Sequence, residues 1–366
     1  MKTTLADAIQ RIENQPILAC QVGTDASARL AAFATKRLGH SCLLVADANT
    51  FAVAGEKVTS ALDAVGKHII HKIYGPNPLD ATEELGDEIA AAGQDADFFV
   101  AIGSGTLCDL VKHAGTKLDK PSVLYATAAS MNSYTSGITA LKVRGLKRTT
   151  PCAPAIAVFA DPEVVATAPQ RMAAAGVADF LSKCSSASDW RAAHLLRNEY
   201  YSPKAMEFYE GTVEQVLDAA SGVGKAEPEA LAVLLEALLL SGLSMLAAGS
   251  SSPASGGEHL LSHYLDMKSA LYGTRHDLHG AQVGVGTVHC LSLWESILSL
   301  DAAGLDADAL VQAQPTDAEI RAWIEEDWGP AVAGEVLAQW QKKALPPDKL
   351  RDEITWFKAE FQTLRE

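Results

Sequence analysis

The stretch SGGEHLLSHYLDMKSALYGTRHDLHGAQVGVG, residues 255–286, gathers His259, His263, His276 and His279 among acids and glycines. His259 and His263 are four apart, so on a helix they project from one face, a turn apart. His279 follows, directly before Gly280, where a second helix is expected to begin. Earlier, RMAAAGVADFLSK places Asp179 inside an alanine-rich helical segment, where an aspartate has poor propensity and needs a partner if buried. One carboxylate with imidazoles, and a position left for substrate, is a donor set for a catalytic divalent metal. A surface acid beside a pH-responsive or structural histidine cluster is the other reading of the same residues. The chain has no HExxH, which removes that type of metalloprotease.

FFVAIGSGTLCDLVKHAG, residues 98–115, is an apolar strand, a Gly-Ser-Gly-Thr turn and a helix. Such a turn lets backbone amides approach a phosphate at the positive end of a helix dipole, although a tight turn needs glycine for sterics alone. The GxGxxG spacing is absent. Asp47, ending the strand-like LLVAD, is placed either to meet an adenosine ribose or to cap the next helix. Residues 125–150 are rich in hydroxyls, include Asn132, and end in Lys142, Arg144, Lys147 and Arg148. That basic surplus suits either an anion contact or the solvated face of a hairpin.

These residues need elements to carry them. From residue 17 to 161, short Val/Ile/Leu-rich runs (PILACQVG, SCLLVADAN, HKIYG, DFFVAIGSGT, SVLYATAAS, PAIAVFADP) alternate with helical stretches such as ASARLAAFATKRLG and TEELGDEIAAAGQ. Strand and helix in alternation predict a parallel sheet. After Asp161 the texture turns to long Ala/Leu-rich helical segments. The expected division is 1–162 as an α/β unit with a parallel sheet and 163–366 as an all-α unit. ALAVLLEALLLSGLSMLAAG, residues 230–249, is about one bilayer span long but carries Glu236 and reads as a buried core helix. The C-terminal stretch with Trp323, Trp328, Trp340 and Trp356 predicts amphipathic helices packed by their indoles.

The 366-residue chain carries a net charge of −15 and is 48% hydrophobic. So acidic a surface disfavours nucleic acid and anionic membranes as partners. The six scattered cysteines contain no CxxC, the N-terminus has no apolar core of an export signal, and a reducing cytoplasm is the expected compartment.

Taken in order, GSGTLCD, TAASMNSYTS, PAIAVFADPEVVATAP, RMAAAGVADFLSK, GGEHLLSHYLDM and LHGAQVGVGT resemble the motifs of glycerol-1-phosphate dehydrogenases. These stand in the superfamily of iron-containing alcohol dehydrogenases, glycerol dehydrogenase and dehydroquinate synthase, and the likeness covers residues 17–290. It implies a dehydroquinate synthase-like fold, with a dinucleotide-binding α/β domain, an all-helical domain and the site in the cleft between them. It implies that Gly103, Ser104, Gly105, Thr106 and Leu107 cradle the pyrophosphate of NAD or NADP, with Asp109 supporting the loop. Thr127, Ala128, Ala129, Ser130 and Ser136 would line the nicotinamide side. Asp179, His259 and His279 would hold zinc, nickel or iron. His263, with Asn132 and Asp179, would contact substrate, and His276 and His289 would lie outside the ligand set. The implied reaction interconverts sn-glycerol 1-phosphate and dihydroxyacetone phosphate by hydride transfer, with Asp179, His259, His263 and His279 as the catalytic group of a homo-oligomer. Two departures stand out: Asn132 and Ser133 replace Asp-Gly of the usual Ser-Met-Asp-Gly-Tyr, and Ala178 replaces a glycine. The same metal site with a transient oxidation would also serve a dehydroquinate synthase-like cyclase or lyase, and the neutral Asn132 keeps open a relative that binds nucleotide and metal without turnover.

Overall fold

The computed structural model describes residues 3–143 and 146–366, the side chains of Leu146 and Lys147 excepted. The expected strands all form: β1 (Ala19–Val22), β2 (Ser41–Asp47), β3 (His68–Tyr74), β4 (Phe98–Gly103), β5 (Ser122–Ala126) and, after a hairpin, β8 (Ala157–Ala160). They pair in parallel in the order β1-β8-β5-β4-β2-β3. The hairpin is β6 (Ile138–Val143) and β7 (Leu146–Pro151), antiparallel, with Leu141 opposite Arg148.

The central strands are apolar on both faces because both are covered. Alternate residues of β2, β4 and β5 divide between two cores. Leu44, Phe98, Val100, Val123 and Tyr125 meet Leu30, Val58 and Leu62 of helices on one side. Leu43, Val45, Phe99, Ala101 and Leu124 face the other side, where the core runs on without a break into Leu231, Leu234, Leu238 and Leu243. Those leucines belong to the helix Pro228–Ala248, which starts with proline in its first turn and stops at left-handed Gly249 (φ +65°). Its most apolar window is 67% buried, so the run of bilayer length is the helix on which sheet and helical region pack.

β2 leads on to β3 at one edge, whereas its neighbour β4 leads on to β5 in the opposite direction. Ligands of open α/β sheets bind where strand order reverses in this way. The ends of β2 and β4 put Asp47 and Gly103 at that crevice.

From Pro162 onward the described residues form helices and connecting turns. The C-terminal helices correct one expectation. Trp323 and Trp356 are 55% and 52% exposed, because these helices form a thin outer layer: Asp317–Trp328 buries only Ile320, and Pro347–Arg365 buries none of its residues. Trp328 does pack, edge-on against Tyr264 with centroids 5.6 Å apart.

The helix Gln170–Leu181 lies directly on the chain leaving β5. A Cβ at Gly176 would stand 1.9 Å from the carbonyl oxygen of Ala129. Alanine would gain about 1 kcal/mol in helix propensity, but forcing the backbones apart costs about 1–3 kcal/mol and outweighs it. Gly176→Ala is therefore expected to lower the denaturant midpoint. Gly334→Ala, where nothing lies within 4 Å, is expected to leave it unchanged or raise it.

Candidate metal centre

Three helices deliver the donors. Asp179 lies near the end of Gln170–Leu181, His259 and His263 near the start of Gly257–Tyr272, and His279 is the first residue of His279–Leu298. Gly280 explains the pairing of histidine and glycine: a Cβ there would stand 2.0 Å from the carbonyl oxygen of Ala175. Only glycine lets the helix start that close to the aspartate helix. One donor atom from each of Asp179, His259 and His279 lies within 4.8 Å of the others. Asp179 is fully buried, so it is not a surface acid.

Each donor is aimed by a second contact. His259 Nδ1 and Glu258 Oε1 are 2.8 Å apart, which leaves Nε2 as the donor, 3.7 Å from Asp179 Oδ1. Two ligands bound at about 2.0–2.2 Å to one tetrahedral ion stand about 3.4 Å apart, so that gap suits a shared cation. The Ser262 hydroxyl donates to Gln282 Oε1 (3.0 Å) and lies 3.3 Å from His279 Nδ1. With its proton committed to Gln282, Ser262 accepts from Nδ1–H, and Nε2 of His279 carries the lone pair. The backbone amide of Asn132 donates to Asp179 Oδ2 (3.0 Å).

The buried Lys183 ammonium donates to the Asp179 carbonyl (2.7 Å), Ser182 Oγ (3.1 Å) and the Ala254 carbonyl (3.2 Å), and lies 3.4 Å from Asp179 Oδ1. Burial alone would push the Glu258 carboxyl up, but hydrogen bonds from His259, the Gly256 amide and Ser185 together outweigh it and hold it at about 2.

A cleft of about 350 Å³ joins the imidazoles of His259 and His279 to the glycine turn. Ser104, Gly105, Thr106 and Asp109 border it, as do Ser130, Asn132, His259, His263, His276 and His279. At the turn the helix Gly105–Leu118 begins without a side-chain cap from Ser104, so its positive end borders the cleft. His263 sits beside the donors, its ring centroid 6.5 Å from those of both His259 and His279. His289 is exposed. Gly103, Leu107, Thr127, Ala128, Ala129 and Ser136 lie behind the wall rather than on it, and the Ser136 hydroxyl donates to the carbonyls of Ser133 and Ile138. Asp47 Oδ1 accepts from the amides of Asn49 and Thr50, the capping role open to it from the sequence.

Of the four basic residues, Lys142 borders the cleft and pairs with Asp80 (3.0 Å), and Arg148 is exposed. Arg144 and the Lys147 side chain lie outside the described residues. Asn132 turns its Nδ2 to Ser241 (3.1 Å).

Asp109 has a partner that sequence reading passed over. Lys112, fully buried, lies 3.1 Å from Asp109 Oδ1 and donates to the carbonyls of Ser133 and Ile138, both at 2.7 Å. Asp109 also accepts from Ser133 Oγ and the Ala140 amide. One ion pair thus ties the glycine-turn helix to the segment running from the cleft wall into the hairpin. Lys112 stands one helical turn after Asp109, the spacing that could have flagged the pair.

Residues 21–169 match the family described as iron-containing alcohol dehydrogenase. The chain superposes on glycerol dehydrogenase from Schizosaccharomyces pombe with a TM-score of 0.64, at 17% identity, over 95% of this chain and 91% of that one. It superposes on an iron-containing alcohol dehydrogenase from Thermotoga maritima with a TM-score of 0.62, at 14% identity, over 92% and 96%. These superpositions give the class of fold, that shared with glycerol dehydrogenase and iron-containing alcohol dehydrogenase. Within it, the chain is 31% identical over 339 residues to a glycerol-1-phosphate dehydrogenase [NAD(P)+] from Bacillus licheniformis, covering 90% of this chain and 84% of that one. A protein of the same name from Halalkalibacterium halodurans is 37% identical over 257 residues, 69% of this chain and 64% of its own length. The chain belongs to the glycerol-1-phosphate dehydrogenase family.

Removing one member of a buried ion pair leaves the other charge stranded, at a cost of about 3–5 kcal/mol. Lys112→Met is expected to lose that much in urea unfolding, and the loss is expected to shrink when Asp109→Asn is added.

Proposed function

We propose that the protein is a metal-dependent, NAD(P)-linked dehydrogenase that interconverts sn-glycerol 1-phosphate and dihydroxyacetone phosphate. The observation that carries this reading is that Asp179, His259 and His279 meet within 4.8 Å, with both imidazoles on the cleft that the glycine turn borders. The names of its relatives supply the substrate and the nucleotide.

In this reading residues 1–162 hold the nucleotide and 163–366 the metal and substrate. Ser104 to Thr106 approach the pyrophosphate through the backbone, with Gly103 and Leu107 behind them and Asp109 fixing the turn, and Asp47 stands at the crevice where an adenosine ribose would lie. Thr127 to Ser130 and Ser136 shape the wall behind the nicotinamide. Asp179, His259 and His279 hold the divalent cation, zinc by preference for two imidazoles and a carboxylate. Bound there, the cation would supply Lewis acidity toward the substrate's C2 oxygen, and the nicotinamide would give or take the hydride.

His263 is placed to hydrogen-bond the substrate, and Asn132 offers it an uncharged amide. Lys183 fixes the main chain of Asp179 and faces its carboxylate at 3.4 Å. Six free thiols suit a reducing cytoplasm. Val288, Leu293 and Leu260, each more than 60% exposed, favour a homo-oligomer, which light scattering would measure.

The test is nicotinamide absorbance with sn-glycerol 1-phosphate, using chelator-stripped protein resupplied with zinc, nickel or iron. Turnover restored by one of these metals is expected. No turnover with any metal or either nucleotide would leave only a binding relative, and release of inorganic phosphate without net nicotinamide reduction would favour the cyclase or lyase chemistry. His259→Ala and His279→Ala are expected to lose metal and activity together. His263→Ala is expected to keep one metal per chain while kcat/KM falls roughly 100-fold.

A further inference from the structure

Glu258 was not among the residues that sequence reading singled out, yet it is fully buried immediately before a proposed metal ligand. Both of its oxygens are held. Oε1 accepts from the Gly256 amide (2.7 Å) and faces His259 Nδ1 (2.8 Å), while Oε2 accepts from Ser185 Oγ (2.7 Å). Ser185 belongs to the helix Lys183–Arg197 and Gly256 to the loop before the histidine helix. A carboxylate anchored from two elements cannot rotate away from the imidazole.

Because an ionised carboxylate only accepts, Nδ1 of His259 must carry the ring proton. The lone pair is then on Nε2, which lies on the Asp179 side. Among the described residues, the ion-pair partner of Glu258 is His259 itself. The nearby ammonium of Lys183 is engaged with Asp179, Ser182 and Ala254. A carboxylate held in this way behind an imidazole is the arrangement that orients a histidine toward a metal and raises its basicity.

We propose that Glu258 is a positioning residue for the cation: it fixes the His259 tautomer, aims Nε2 into the donor set, and sets a negative charge one ring behind the metal. The proposal rests on the metal-site reading above. A purely structural alternative exists, since the Gly256 bond also braces the start of the helix, and the experiment has to separate the two.

Zinc alone is titrated into the full-length, metal-free chain against a chromophoric chelator, and thermal unfolding of the metal-free protein is followed in parallel. Glu258→Gln keeps the shape and an acceptor oxygen but removes the charge. It is expected to weaken zinc binding about 10–100-fold while the metal-free midpoint moves by no more than a few degrees. Ser185→Ala, which frees one oxygen without touching His259, is expected to weaken binding by a smaller factor. Imidazole ¹⁵N shifts of the metal-free wild type are expected to show His259 protonated on Nδ1, a reading that needs no variant to fold.

Zinc affinity of folded Glu258→Gln within twofold of wild type, or a His259 protonated on Nε2, would overturn the proposal while leaving the metal site intact. A wild-type chain that takes up no zinc would overturn both.

Discussion

Bringing one carboxylate and two imidazoles from three helices within 4.8 Å of one another requires those helices to approach more closely than ordinary side chains permit. That close approach is the constraint on which the rest of this structure depends. Gly280 sets the third helix against the backbone at Ala175, and Gly176 sets the aspartate helix against the backbone at Ala129, on the chain leaving the sheet. Through that second contact the metal donors are brought against the sheet crevice. The apolar helix Pro228–Ala248, continuous with the sheet's inner core, keeps the two regions in one packed body.

Charge is handled locally in a protein whose total is strongly negative. Among the described residues two lysines are buried, and each is tied to an aspartate three or four residues before it as well as to main-chain carbonyls: Lys112 with Asp109 on one helix, and Lys183, at the start of the next helix, with Asp179. Buried ion pairs are poor sources of net stability. What these pairs supply is geometry. The first holds the segment that walls the cleft and the second holds the carboxylate that meets the imidazoles. Glu258 follows a different pattern, with amide, hydroxyl and imidazole around it and no ammonium.

The sequence made the outer form of this arrangement readable. Continuous apolar runs such as FFVAI could only be strands covered on both faces, and β4 is fully buried along its length. The four-residue spacing of His259 and His263, and the His-Gly step at 279, announced helix positions that the structure bears out. The single sequence could not announce burial of polar side chains inside helices. Glu258, Lys112, Lys183, Ser262 and Gln282 have the residue types of a solvated face, and only the packing of distant elements makes them interior. The same limit acted in reverse at Trp323 and Trp356, whose indoles promised a core that a single outer layer of helices does not provide. Asp47 was legible only as a choice between two roles, because capping and ribose contact call for the same acid at the same strand end.

One hydrogen bond joins the two halves of the cleft: the main-chain amide of residue 132, on the wall beside the glycine turn, holds Oδ2 of Asp179. Any shift of that wall by a few tenths of an ångström re-aims the carboxylate. With an ion held as proposed, a guest that seats the wall in its best position would strengthen the hold on it. Coupled equilibria are reciprocal, so the ion would strengthen the hold on the guest by the same factor, and such cooperation would need no hinge and no moving domain.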